Sequence, residues 1–128
     1  MTETVDKSIV PIIKKSLANE DFRETVITGK MCQVVLMTLQ PGEEIGAEVH
    51  EDHDQILVLT EGNGQAVLEG QARDVGTNDL IFVDAGVEHN FINTGSRRLR
   101  LYTVYAPPEH AEGTRHATKA EADRAEAH

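Results

Sequence analysis

The stretch Gly42–Gly62, GEEIGAEVHEDHDQILVLTEG, decides the fold. It is bounded by glycines and carries two histidines, one glutamine amide and a series of carboxylates. Glu48 and His50 stand two apart in a short extended segment, Ala47–His50, so both side chains leave one face of a strand. The polar loop Glu51–Asp54 follows. Gln55–Thr60 then reads as a strong strand, and the loop lets Gln55 fold back beside the first segment. A later stretch, Asp79–Asn93 (DLIFVDAGVEHNFIN), supplies His89 just after a glycine turn. The expectation is that the two stretches meet inside a small β-barrel and hold one metal ion.

The rest of the chain reads outward from there. Glu24–Gln40 is rich in β-branched and apolar residues and is punctuated by Gly29-Lys30, which predicts two antiparallel strands and a tight turn. Gly62-Asn63-Gly64 predicts a hairpin returning through Gln65–Glu69. Residues 70–78 read as loop. Strands follow at Asp79–Val83, Glu88–Asn93 and Arg98–Ala106, and Pro107-Pro108 ends the sheet. Short strands at this spacing predict an all-β sandwich or barrel. Residues 1–23 read as an extended N-terminal arm with Pro11 breaking any helix, residues 24–108 as the barrel, and residues 109–128 as a polar tail. Thr118-x-x-Glu121 is a capping-box pattern, and a short C-terminal helix is expected over 118–127, too polar to join the core.

Composition bounds the function. The 128 residues suit one domain. The net charge of −10 and pI near 4.9 argue against nucleic acid or an anionic membrane as partner. Arg97, Arg98 and Arg100 read as a solvated strand face. The single cysteine, Cys32, excludes an intrachain disulfide and reads as a small buried hydrophobe beside an apolar run. No leader or spanning segment is evident, so the cytoplasm is the default. Met31, Met37, Phe82 and Phe91 read as core or cavity lining. Tyr102 and Tyr105 share a strand on opposite faces, and Asn93 reads as a structural turn residue. Glu43, Glu44, Glu51, Asp52 and Asp54 read as solvated carboxylates that draw cations toward the site.

These residues resemble a small single-domain cupin of the conserved-barrel type often labelled mannose-6-phosphate isomerase-like. Gly42, Glu48-x-His50, Gln55 and Gly62 match the spacing of the first cupin motif throughout. Gly86, His89 and Asn93 match the second, with Asn78 and Asp84 at its expected Gly and Pro. Glu48 stands where the family has histidine and Gln55 where it has glutamate, so the carboxylate has moved while the donated charge is kept. The resemblance implies a jelly-roll barrel and a homodimer. It also implies one divalent ion (Zn, Fe, Mn, Ni or Cu) on Glu48, His50, Gln55 and His89. His53 is either a rival ligand to Glu48 or a proton-moving acid/base at the mouth. The implied function is metal-dependent transformation of a small oxygenated organic molecule by isomerase, lyase or dioxygenase chemistry. The alternative is a non-catalytic cupin that binds a small ligand or a metal.

Overall fold

The computed structural model describes residues 7–126. The first residues of the expected arm and the last of the expected C-terminal helix lie outside them. The elements run α1 (Ile12–Ala18), β1 (Arg23–Thr28), β2 (Gln33–Leu39), β3 (Asp54–Glu61), β4 (Asn63–Leu68), β5 (Gln71–Gly76), β6 (Leu80–Val83), β7 (His89–Ile92), β8 (Leu99–Ala106), β9 (Arg115–His116) and α2 (Lys119–Glu126). Two antiparallel sheets face each other. The larger has the order β6-β3-β8-β2-β1-β9 and the smaller β5-β4-β7. Bridges from Glu44 to Ile92 and from Glu48 to His89 extend the smaller sheet beyond β7. The fold is therefore all-β with a short C-terminal helix, in agreement with the sequence.

The core follows from strand parity. Val35, Met37 and Leu39 of β2, Leu57 and Leu59 of β3, and Leu99 and Leu101 of β8 point into the space between the sheets. Phe91 of β7 and Ala66 of β4 meet them from the other side. At one end of this column the inward positions turn polar: Gln33, Gln55, Thr103 and Tyr105 are all buried there. That polar end is where the two histidine segments arrive.

Several expectations are corrected. Pro11 starts a helix rather than preventing one. It has no N–H to satisfy, and its carbonyl accepts the first helical bond from Lys15 at 3.0 Å. The arm is thus helical over Ile12–Ala18, and Ser16 donates to Thr60 at 2.7 Å on the outside of the larger sheet. Gly62 ends no hairpin. β3 belongs to the larger sheet, while β4 pairs with β5 and β7 in the smaller. Gly62, at φ 93°, is where the chain crosses between them. Residues 71–76 form β5, an edge strand with four exposed residues at its start, and that polarity concealed it. Ala47–His50 forms only the Glu48 bridge.

Arg100 is buried rather than solvated. Its guanidinium donates to Glu61 at 2.6 Å, to Glu20 at 2.7 Å and to the Asn19 carbonyl at 3.1 Å. Cys32 is exposed in the β1–β2 turn. Met31 and Phe82 are also exposed, at 77% and 49%. The C-terminal helix keeps its expected cap, with the Glu121 N–H donating to the Thr118 hydroxyl at 3.1 Å, yet Ala122 is fully buried in the core cluster with Phe22. Among the described residues no helix is long and apolar enough to cross a membrane.

Candidate functional site

The Glu48–His89 bridge is a reciprocal pair. Each N–H donates to the other's carbonyl at 2.9 Å. Residues directly opposite in such a pair send their side chains to one face. His50, two residues on, joins them, and its carbonyl is held by the Gly86 N–H at 2.9 Å. The ring centroids of His50 and His89 lie 5.2 Å apart, and the His50 Nε2 is 3.4 Å from the Glu48 Oε2. Tyr105 presents its ring edge-on to His50 at 6.1 Å and is the cross-strand partner of Gln55. The structure therefore gathers Glu48, His50 and His89 on one face, with Gln55 entering through its pairing with Tyr105.

The donor atoms have defined states. His89 is buried, and its Nδ1 lies 2.9 Å from the Val87 carbonyl. That contact requires the proton on Nδ1 and leaves Nε2 with its lone pair. Burial, aided by the neighbouring His50, lowers the His89 pKa and favours the neutral ring, although the bond to Val87 opposes this. The Gln55 Nε2 donates to the Thr103 hydroxyl at 3.0 Å, and that hydroxyl donates in turn to the Ile56 carbonyl at 2.9 Å. Thr103 has one proton to give, so the amide can face it only with its NH2 group. The Gln55 Oε1 is then buried with no hydrogen-bond partner. A buried acceptor of this kind costs about 1–3 kcal/mol. A cation ligated there would remove the cost.

Among the described residues no three His, Cys, Asp or Glu side chains form a ready metal cluster. The donor types are those a divalent ion takes: one imidazole with a committed Nδ1, a second imidazole 3.4 Å from a carboxylate, and an orphaned amide oxygen.

His53 is half-buried. Its Nε2 lies 3.2 Å from the Pro108 carbonyl and 3.2 Å from the Glu109 carboxylate. Glu109 also reaches the Nδ1 of His50 at 3.5 Å. Glu109 and His110 escaped the sequence reading because they sit in a tail that looked merely polar. Gln33 draws them in: its buried amide accepts from the N–H groups of Glu109 (3.2 Å) and His110 (2.9 Å) and donates to the His110 carbonyl (2.8 Å). His110 stacks edge-on against Tyr105 at 5.3 Å. Burial, with Arg23 and the neighbouring histidines, lowers its pKa from 6.5 to about 3. Of the four apolar residues expected in the core or lining a cavity, Met37 and Phe91 are buried in the core, while Met31 and Phe82 are exposed. A depression of about 590 Å³ lies away from the histidines, beside Thr60, Gly62 and Arg97.

Two facing sheets, glycine-marked strand ends and imidazoles gathered at one polar end define a jelly-roll class of protein. The cupin-domain family model matches residues 35–105, and the chain belongs to the cupin family. It is 44% identical over 125 residues to the uncharacterized protein YrkC of Bacillus subtilis (strain 168), covering 92% of this chain and 67% of YrkC. The crystal structure of BH2720 from Bacillus halodurans superposes with a TM-score of 0.89 at 40% identity, covering 91% of this chain and 92% of that one. A predicted oxalate decarboxylase from Thermotoga maritima superposes at 0.63 and 25% identity, over 66% of this chain and 77% of its own.

Proposed function

We propose that this cupin binds one divalent metal ion through Glu48, His50, Gln55 and His89 and transforms a small oxygenated organic molecule there. The observation that carries the reading is the orphaned Oε1 of Gln55, at the polar end of the core where His50 and His89 lie 5.2 Å apart. The ion, when bound, supplies a Lewis acid for a carbonyl or hydroxyl oxygen. The chain's own groups do the rest. The Val87 carbonyl holds the His89 ring in one tautomer. Thr103 holds the Gln55 amide in one orientation. His53, held by Pro108 and Glu109, moves a proton between substrate and solvent.

Substrate class follows from charge. Arg100 is spent on Glu20, Glu61 and Asn19 on the outer side of the larger sheet, and Arg23 meets His116 at 3.3 Å. Nothing in that arrangement supplies a phosphate clamp, so a hydroxy acid or free sugar suits the site better than a sugar phosphate. The decarboxylase in the name of the Thermotoga neighbour supports lyase chemistry over isomerisation. Elemental analysis of the purified protein, followed by turnover assays on hydroxy and keto acids with Mn(II), Fe(II), Ni(II) and Zn(II), tests the reading. One ion per chain and metal-dependent turnover are expected. Metal binding without turnover on any of these leaves the non-catalytic binder, and wild-type turnover in His50→Ala or His89→Ala rejects the centre.

We also infer a homodimer in a reducing compartment. The exposed, unpaired Cys32 suits the cytoplasm. The outer face of the larger sheet carries two uncharged rows in register, Phe82–Ile56–Val104–Val34 and Leu80–Val58–Tyr102–Leu36. Antiparallel sheets ordinarily show water a polar outer face. In a chain of net charge −10, uncharged rows of this kind are where a second copy can approach without repulsion.

A further inference from the structure

We infer that Glu109, on the C-terminal strap, is a positioning residue of the metal centre: its carboxylate holds the His50 imidazole by Nδ1 and braces His53 behind it. The inference rests on the metal-binding reading and goes beyond its ligand set. A metal-bound histidine commonly gives its second ring N–H to a carboxylate, which fixes the tautomer and raises the basicity of the ligating nitrogen. His50 is placed for this role. Its Nε2 faces Glu48 at 3.4 Å, while its Nδ1 faces the Glu109 Oε2 at 3.5 Å. A proton on Nδ1 leaves the Nε2 lone pair on the side of Glu48 and His89. For His89 the Val87 carbonyl does the same work at 2.9 Å. The two imidazoles thus receive their orientation from different parts of the chain, one locally and one from a segment almost sixty residues away.

Glu109 is able to do this because it is itself held. Its side chain is 27% exposed, and the same oxygen lies 3.2 Å from the His53 Nε2. That nitrogen also meets the Pro108 carbonyl, so two acceptors fix its proton. Behind the strap, Gln33 is fully buried and ties residues 109 and 110 to β2 through three hydrogen bonds to their backbone, while its Nε2 also donates to the Thr28 hydroxyl at 2.9 Å. The resulting chain of contacts runs from the barrel interior through Gln33 and the strap to Glu109 and then to His50.

Calorimetric titration with Co(II) tests this, using wild type, Glu109→Gln, Glu109→Asp and, as a control, the exposed mouth carboxylate variant Glu51→Gln. Glu109→Gln is expected to weaken Co(II) binding by about 10–100-fold. Glu109→Asp keeps the charge one methylene further back and falls between that variant and wild type. Glu51→Gln stays near wild type, and the melting temperature of metal-free Glu109→Gln matches wild type. Wild-type affinity in Glu109→Gln overturns the inference alone. An equal loss in Glu51→Gln also overturns it, because general negative potential then accounts for the effect. A Glu109→Gln protein that melts lower yet binds Co(II) normally shows a merely structural role and overturns it too. A wild type that binds no Co(II) removes the metal centre and the inference together.

Discussion

Gln55 stands where a typical carboxylate of this motif would stand, and its buried Oε1 accepts no hydrogen bond. Gln55→Glu is therefore expected to act in opposite directions on binding and stability. A second carboxylate at the centre tightens Zn(II) or Mn(II) binding by calorimetry. It also destabilises the metal-free protein by at least about 2 kcal/mol in urea unfolding, because an anion replaces an amide in a buried position. His110 gives a pH prediction. Its folded pKa is lowered from 6.5 to about 3, so the unfolded chain takes up the proton first as pH falls. Stability is complete above about pH 6.5 and declines toward pH 3, by at most about 1.4 kcal/mol per pH unit, and by less because the ring is only partly shielded. His110→Gln should flatten the dependence of the urea midpoint between pH 6.5 and 4. Glu48, His50 and His89 were legible in the sequence because the motif fixes them by spacing within short segments. Glu109 and His110 were not, because no local pattern connects a polar tail to an amide on β2.

Elements show the same division. The two strands of 24–40, the strand at Gln55 and the last strand at Leu99–Ala106 follow directly from β-branched content and turn residues. β5 did not, because an edge strand needs no apolar alternation. The helix at Ile12–Ala18 did not, because a proline that begins a helix looks the same in sequence as one that ends it. Gly62 was legible as a turn but not as a crossover. A Cβ there would sit 2.6 Å from the Arg98 carbonyl oxygen, at a φ of 93°. At Gly42, with a φ of 86°, nothing lies within 4 Å of the same atom. Gly62→Ala is accordingly expected to cost more than about 3 kcal/mol, and Gly42→Ala about 1–2 kcal/mol, since only the first adds backbone overlap to the left-handed penalty. Urea unfolding of the two variants checks the ranking.

At the scale of the molecule, the proposed dimer rests on the net charge of −10 and on the two uncharged rows of the larger sheet's outer face. Phe82 and Leu80, exposed at 49% and 60%, lie at the open edge of the two apolar rows. Sedimentation equilibrium of the wild type should give a dimer. Phe82→Asp combined with Leu80→Asp should give a folded monomer, and a wild-type monomer would count against the shared face. The barrel brings residues 48–50 and residue 89 together at one end, and the most direct test of the proposed centre follows the ring nitrogens themselves. In ¹⁵N-labelled protein titrated with Zn(II), the Nε2 signals of His50 and His89 should shift together and saturate at one equivalent, with Nδ1 of both rings remaining protonated. A shift confined to His50 and His53, or no shift in His89 at one equivalent, would contradict the account.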